Sequence, residues 1–459
     1  MEKEIFSTAE VASKVGVHRD TLLRWLRLQL IPEPQRDRRG WRVFSAQDID
    51  GILRFAKDGV SEPSATYSSE QRASSLNQLD WDFANATTNY LTHSIHPYPA
   101  KFIPQIPNAL IQELSSVGDT VLDIFCGSGT TLVESLLLKR NAVGIDANPL
   151  ACLISRAKTT VLLESEIDSL SALCVRAQEL AASLAIPIPN LFSDQPFQSD
   201  ASRPSEDAIS FWFEPFIVEE LAEILSWCSN LPSDNARQLA FTAFSSIVVA
   251  VSKQDSDTRY VRRNKNLEPG AAFLRFARVL ASSLQAVSEL GDVIESRFHC
   301  NVLHEDILSK PKIQAVDLVV CSPPYPNAYS YHLYHMTRML WLGMDQPSFK
   351  KREIGSHRKY SNKGANGATV DTFRSEFDGI FSWLRAVVKR NKYVCFVVGD
   401  STLRGEKVDN AELIASEAGK YNFREEVRIN RTIRATKKAF NPRIGKIKTE
   451  KILVLRYGG

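Results

Sequence analysis

The run Cys321-Ser322-Pro323-Pro324-Tyr325 ends the apolar stretch Val316-Asp317-Leu318-Val319-Val320, so a buried strand stops at a rigid, aromatic corner. Two prolines fix the backbone there. The Ser322 hydroxyl and the Pro323 carbonyl can then face outward as acceptors for an NH2 group, with Tyr325 offering a flat face for stacking. That chemistry suits a flipped nucleobase whose exocyclic amine is to be modified. A Pro-Pro pair after a strand is more often a plain rigid turn, so the weighting rests on a second motif. Cys321 precedes the prolines rather than following one, which suits a small buried residue and not a thiolate nucleophile.

The second motif is Thr120-Val121-Leu122-Asp123-Ile124-Phe125-Cys126-Gly127-Ser128-Gly129-Thr130, a buried strand and glycine loop followed by a helix. Small residues admit a ligand close to the backbone, and the helix N-terminus favours an anionic group such as a carboxylate. Nucleotide and flavin sites use similar loops, and on its own this one is weak. The next strand, Ala142-Val143-Gly144-Ile145-Asp146, ends in an acid 23 residues after Asp123, the spacing of a βαβ unit that grips an adenosine moiety. Both acids could also be strand-end caps.

Taken together these segments resemble the DNA amino-methyltransferases, which methylate cytosine N4 or adenine N6 with S-adenosylmethionine. The matching residues are the loop Asp123 to Thr130, the acid Asp146, the corner Ser322 to Tyr325, and Ser94-Ile95-His96-Pro97-Tyr98-Pro99-Ala100-Lys101-Phe102 ahead of the first strand. The resemblance covers residues 80–459 and implies Tyr98, Lys101, Phe102, Asp123, Phe125, Gly127, Gly129, Thr130, Asp146 and Asp306 as cofactor contacts. Asp306 closes Cys300-Asn301-Val302-Leu303-His304-Glu305-Asp306, which resembles the strand whose acid meets the adenine amine; Glu305 and a simple surface carboxylate compete for that place. Ser322, Pro323, Pro324 and Tyr325 are the implied catalytic corner. Serine in first place is similar to N4-cytosine enzymes, where adenine enzymes usually carry Asp or Asn. Cytosine N4 is therefore the expected target, with adenine N6 as the alternative. The implied chemistry is direct methyl transfer, with no metal.

At 459 residues the chain has room for two or three domains, and its net charge of +3 is only mildly basic. A nucleic-acid reading must rest on local clusters. Seven cysteines without a C-x-x-C pair argue against a disulfide framework or zinc knuckle. No signal peptide or membrane-length apolar stretch is visible, so a cytoplasmic location is expected.

Residues 1–58 read as a separate unit. Ser7-Thr8-Ala9-Glu10 is a capping box opening a helix, Gly16-Val17 makes a turn, and a second helix runs through Thr21 to Leu26. A basic hairpin then spans Arg36 to Phe44, and Ser45-Ala46-Gln47-Asp48 caps another helix. This order resembles the winged helix-turn-helix of MerR-type DNA binders. His18, Arg19, Thr21 and Arg24 would enter the major groove, and Arg38, Arg39 and Arg42 would grip phosphates. A small helical protein-interaction domain is the competing reading.

Serine-rich residues 59–79 read as a linker, followed by the methyltransferase-like domain at 80–459. The 160 residues between Asp146 and Asp306 exceed an ordinary crossover, and their apolar spacing predicts a helical insertion at about 160–295. Within it, Ser252 to Asn266 interleaves Arg259, Arg262 and Arg263 with Tyr260, which suits a nucleic-acid surface or a solvated loop equally. Tyr329, Tyr331, His332, Tyr334 and His335 crowd one helical stretch, either around a flipped base or against the sheet. The basic segment Lys350 to Gly367, with Arg358 and Lys359, is expected to be a DNA-contacting loop. Arg428 to Lys448 holds eight Lys or Arg and no acid, including Arg431, Arg434, Lys437 and Lys438, and reads as a phosphate-binding run. Thr449 to Leu455 is expected to return the chain to the sheet edge.

The expected fold is α/β: a Rossmann-like methyltransferase sheet with a helical insertion and an N-terminal winged helix-turn-helix. The expected partner is double-stranded DNA, with a separate restriction endonuclease or defence-complex subunit also open. An RNA methyltransferase, and a DNA-binding regulator or scaffold with an inactive methyltransferase domain, are the remaining alternatives.

Overall fold

The computed structural model describes residues 5–17, 22–23, 25–26, 31–36, 42–57, 72–73, 75–83, 86–185, 196–324, 326, 330–361, 367–403, 406–432 and 449–459. The chain divides into two compact units, Met1–Ser68 and Ser69–Gly459.

In the first unit, β1 (Phe6–Ser7) leads into α1 (Thr8–Val15), where the Ser7 side chain accepts from the Glu10 N–H and the Glu10 carboxylate accepts from the Ser7 N–H. Gly16, at φ 74°, ends the helix in a left-handed turn that costs a glycine little. β2 (Gln35–Arg36) and β3 (Arg42–Phe44) pair antiparallel, with β1 on the other side of β3. Ser45 and Asp48 form a second reciprocal cap on α2 (Ala46–Lys57). Val11, Leu22, Trp25, Leu26, Phe44, Ile49 and Ile52 make the core. The expected reading residues His18, Arg19, Thr21, Arg24, Arg38 and Arg39 lie outside the described residues. Arg42 is described, and its guanidinium pairs with Glu33 at 2.8 Å.

The second unit starts earlier than residue 80. Ala73 and Leu76 are buried in its core and Trp81 Nε1 donates to the Leu76 carbonyl at 2.8 Å, so Ala73 and residues 75–79 belong to packed structure and not to a linker. After α3 (Gln105–Leu114) come β4 (Thr120–Asp123), α4 (Thr130–Leu137), β5 (Asn141–Asp146) and α5 (Pro149–Thr159). Helices α6 (Glu164–Ala185), α7 (Glu206–Trp212), α8 (Pro215–Ser229), α9 (Asp234–Val248) and α10 (Ala271–Val293) form the insertion. Between the last two, β6 (Gln254–Ser256) and β7 (Arg259–Arg262) make a hairpin where a loop was expected. The insertion has its own core of Leu170, Leu221, Phe244, Phe273, Phe276 and Leu280. It closes at its base, where a Cβ on Gly291 would lie 3.5 Å from Val161 Cγ1.

The chain continues through β8 (Cys300–His304), β9 (Val316–Cys321), α11 (Tyr331–Tyr334), α12 (Met336–Trp341), α13 (Gln346–Arg352) and α14 (His357–Ser361). Last come α15 (Val370–Val387), β10 (Val388–Gly399), the small pair β11 (Ser401–Leu403) and β12 (Glu406–Val408), α16 (Asn410–Gly419), β13 (Phe423–Thr432) and β14 (Thr449–Tyr457). Seven strands form one sheet in the order β13-β14-β10-β9-β4-β5-β8. β8, β5, β4, β9 and β10 are parallel, and β14 runs antiparallel to both neighbours. β14 therefore lies inside the sheet, and β13 is the edge, which corrects the edge position expected for residues 449–455. The interior place agrees with the all-buried run Ile452 to Leu455. Apolar side chains cover both faces, Phe373, Phe377 and Phe381 of α15 on one and Ile106, Leu110 and Ile111 of α3 on the other. This is a doubly wound α/β, Rossmann-like fold. Its strand order reverses between β4 and β9, and in such sheets ligands bind beyond the carboxyl ends of the strands at that point. Among the described residues no helix is long and apolar enough to cross a membrane.

Candidate active site

A cleft, with about 810 Å³ of empty space when the open solvent at its mouth is included, lies at that reversal point. The loop after β4 (Ile124 to Ser128, with Thr130), Asp146 to Asn148 after β5, Glu305 to Ile307 after β8, and Ser322 and Pro324 after β9 all line it. So do Tyr98, Lys101 and Phe102 from the segment before α3. One cleft thus gathers ten of the fourteen residues expected for catalysis and cofactor binding.

The loop is built on Gly127, at φ +48°, whose N–H donates to Asp146 Oδ2 at 2.9 Å. Asp146 Oδ1 accepts from the Asn148 N–H at 2.8 Å. Burial pushes the Asp146 carboxyl up to about 6, and these two bonds pull the other way. Each oxygen keeps a lone pair for a further donor. Ser128 lines the same cleft and is 2% exposed, and its buried Oγ has no hydrogen-bond partner among the described residues. A buried hydroxyl left in that state favours a polar ligand.

Two expected cofactor contacts stand behind the wall instead. Asp123 is buried and its Oδ1 accepts from the Phe125 N–H at 3.0 Å; burial pushes its carboxyl up to about 7. It shapes the loop from beneath. Gly129 caps α4 at φ 78°, where a Cβ would lie 2.9 Å from Ser155 Oγ, so its bareness serves helix packing.

The segment before α3 is held by a buried acid. Glu134 Oε1 accepts from Tyr90 Oη at 2.6 Å and pairs with His93 Nε2 at 2.7 Å, and its Oε2 accepts from Asn108 Nδ2 at 2.7 Å. Burial outweighs the Glu134 carboxylate and lowers the His93 pKa. Lys101 Nζ donates to the His93 carbonyl at 2.8 Å. Tyr98 stacks on Tyr331, ring centroids 5.7 Å apart and planes 26° apart. Tyr331 therefore belongs to the cleft, while His335 is buried behind Tyr98.

At the β9 corner, Ser322 Oγ donates its proton to the Val397 carbonyl at 3.0 Å. A hydroxyl fixed in that way has only lone pairs left to offer the cleft, which makes it an acceptor. Pro323 is buried and off the wall, and Tyr325 lies outside the described residues. Asp306 Oδ1 accepts from the Leu308 N–H at 2.9 Å at the cleft edge, with Glu305 beside it.

The basic segment 350–367 is largely helical in its described part rather than a plain loop. Phe349, Arg352, Glu353 and Ile354 complete the cleft wall. Glu353 accepts from the Tyr331 N–H and pairs with His332 Nδ1, each at 2.5 Å. Lys359 pairs with the buried Glu376 at 2.5 Å, which removes it from the phosphate-binding set; Arg358 stays exposed. The alternation of Phe349, Ile354 and Tyr360 with the charges was the available signal. The basic run after residue 428 begins as a strand too. Arg431 is buried, donating to the Trp81 carbonyl and pairing with Glu450 at 2.6 Å, so it cannot meet DNA. Arg428 is held by Glu412 and Glu425. Arg434, Lys437 and Lys438 lie outside the described residues. Arg259, Arg262 and Arg263 are exposed on β7 and just after it.

Residues 24–156 match the family model described as DNA methylase (N6_N4_Mtase). The type II methyltransferase M.MvaI of Kocuria varians is 28% identical over 283 residues, covering 57% of this chain and 60% of that enzyme. The type II methyltransferase M.MjaII of Methanocaldococcus jannaschii is 42% identical over 87 residues, 18% of this chain and 16% of that enzyme. The mercuric resistance operon regulatory protein of Bacillus cereus is 44% identical over 52 residues, 11% of this chain and 39% of that protein. The chain thus spans less than two thirds of the length of each of these relatives.

Proposed function

We propose that this chain transfers a methyl group from S-adenosylmethionine to the exocyclic amine of a base rotated out of duplex DNA, cytosine N4 first and adenine N6 as the alternative. The observation that carries this reading is that the glycine loop, Asp146, Asp306, Ser322 and Pro324 line one cleft. The type II methyltransferases it resembles support the reading.

The cleft fits the cofactor. Asp146 has acceptor capacity left for ribose hydroxyls, Asp306 for an adenine amine, and the N-terminus of α4 at Thr130 favours a carboxylate. Tyr98, Lys101, Phe102 and Phe125 would enclose the remainder. Bound there, S-adenosylmethionine supplies a sulfonium-activated methyl group. The protein's part is alignment. Ser322 Oγ accepts an amine hydrogen, which helps turn the nitrogen lone pair toward the transferring carbon, and Tyr325 stacks on the base. Serine rather than an acid at the corner is what favours cytosine.

The acid at the ribose position gives a pH signature. Ribose hydroxyl donors prefer the ionised Asp146, so binding should release a proton below its free-state pKa of about 6. Affinity is expected to fall with a slope approaching one decade per pH unit as pH drops below about 6, and to level off above it. Calorimetry from pH 5 to 8 on wild type and Asp146→Asn checks this assignment; a slope that persists in the variant removes Asp146 from it.

The function is tested by tritiated methyl transfer to duplex DNA and to RNA, with mass spectrometry of the nucleosides. Changing Ser322, Pro323, Pro324 and Tyr325 together to Ala should abolish transfer to DNA while cofactor affinity stays near wild type. Wild-type turnover in that variant would sink the site, and DNA binding without transfer in wild type would favour the regulator reading. The likeness of a short segment to a regulatory protein, with the capped helices and hairpin of the first unit, supports a DNA-reading role for residues 1–58. In a second arm, Arg19, Arg24, Arg38 and Arg39 changed to Ala should flatten the salt dependence of DNA binding by roughly 0.9 per lost phosphate contact. An unchanged slope would point to a protein-interaction role.

A further inference from the structure

Three exposed apolar side chains gather on one part of the insertion: Phe211 at 50%, Tyr260 at 41% and Val261 at 64%. All four residues of β7 are exposed, so this strand covers no core. Its cations are placed around the apolar groups. The Arg262 guanidinium lies 4.8 Å from the centroid of the Phe211 ring, and Arg259 and Arg263 flank the strand, both reaching Asp255 at 3.6 and 3.3 Å. The hairpin is nonetheless rigidly mounted. Lys253 N–H donates to the Trp212 carbonyl at 2.6 Å, Arg263 N–H to the Lys253 carbonyl at 2.7 Å, and Arg338, itself wholly buried, holds Asp257 at the turn at 2.5 Å. The same Arg338 guanidinium lies 5.7 Å from the centroid of the Tyr334 ring, on the short helix whose Tyr331 stacks on Tyr98 in the cleft wall, so the hairpin is tied to that side of the cleft.

A rigid strand that bares Tyr and Val between arginines is built for a polyanion with apolar faces, and unstacked nucleic acid is that partner. Drawing a base into the cleft breaks a pair and two stacks, at a cost of a few kcal/mol. Apolar wedges between base steps offset such a cost elsewhere. We propose that the β6–β7 hairpin is the unstacking element for duplex DNA: Tyr260 and Val261 enter the stack beside the target base, while Arg259, Arg262 and Arg263 hold the flanking phosphates. This rests on the proposed methylation of duplex DNA.

The test compares full-length wild type, Tyr260→Ala and Val261→Ala on two duplexes carrying the modified context mapped by single-molecule sequencing. One duplex is fully paired, and the other has an abasic site opposite the target base, so no pair remains to be broken. On the paired duplex each variant should lose about tenfold or more in kcat/KM, and on the abasic duplex it should return to within about threefold of wild type. Unchanged cofactor affinity by calorimetry certifies the fold. Equal losses on both duplexes, or none on the paired one, overturn the hairpin's role while leaving the methyltransferase reading intact. Wild type inactive on both duplexes overturns the underlying reading, and the hairpin's role with it.

Discussion

Gly127→Val is expected to lower S-adenosylmethionine affinity by roughly a hundredfold, combining backbone strain and overpacking that each cost about 1–3 kcal/mol. The residue sits at φ +48°, where a β-branched side chain is a genuine outlier. A Cβ there would lie 3.2 Å from Tyr98 Cε1, before either Val methyl is added. Relief must come from the loop, which would pull the Gly127 N–H from Asp146, or from Tyr98, which would leave its stack on Tyr331. Either movement damages the cleft. Gly118→Ala is the control: its φ of +86° is similarly unfavourable to alanine, but nothing lies within 4 Å of its Cβ. That change should cost about 1 kcal/mol of stability and leave cofactor affinity alone. Calorimetry that finds Gly127→Val binding as wild type does would show that the loop does not meet the cofactor.

Glu134→Ala should destabilise the second unit by about 3–5 kcal/mol, as expected when one member of a buried polar network is deleted. Glu134 is wholly buried, and removing it strips a partner from each of Tyr90, His93 and Asn108. Glu134→Gln keeps the shape and one acceptor, so it should cost only about 1–3 kcal/mol. Urea midpoints at constant m-value measure both. Cofactor affinity should fall in parallel, because the same network fixes the segment that carries Tyr98 and Lys101. A loss below about 1 kcal/mol for Glu134→Ala would mean that the segment is held by its apolar contacts alone.

What the sequence disclosed well was chemistry written over a few neighbouring residues. The two capping boxes, the strand–loop–helix around Gly127 and the Ser322 corner each depend on local geometry, and the helices of the insertion on apolar spacing. What it hid were partners distant along the chain. Lys359 and Arg431 look like free cations until Glu376 and Glu450 are brought beside them by folding. Counting charges in residues 350–367 also masked Phe349, Ile354 and Tyr360, whose burial turns that segment into a wall. The interior position of β14 is set by which strands pair, which no local pattern states. The serine-rich composition ahead of residue 80 likewise gave no sign that Leu76 and Trp81 would anchor its last turn.

The close approach of Val161 to Gly291 bears on how the sheet is assembled. β5 and β8 are hydrogen-bonded neighbours, yet the crossover between them contains about 130 residues from Val161 to Gly291. A flexible loop of that length would oppose their pairing through closure entropy. Here the crossover carries its own core, and its two ends meet at one point. Once that core has condensed, β5 and β8 are in effect joined by a short connection, and helices added to or removed from the far side of the insertion would be invisible to the strands. Local condensation thereby removes most of the closure entropy of a long crossover, and lets the insertion vary in size without disturbing the registry that holds Asp146 against Gly127.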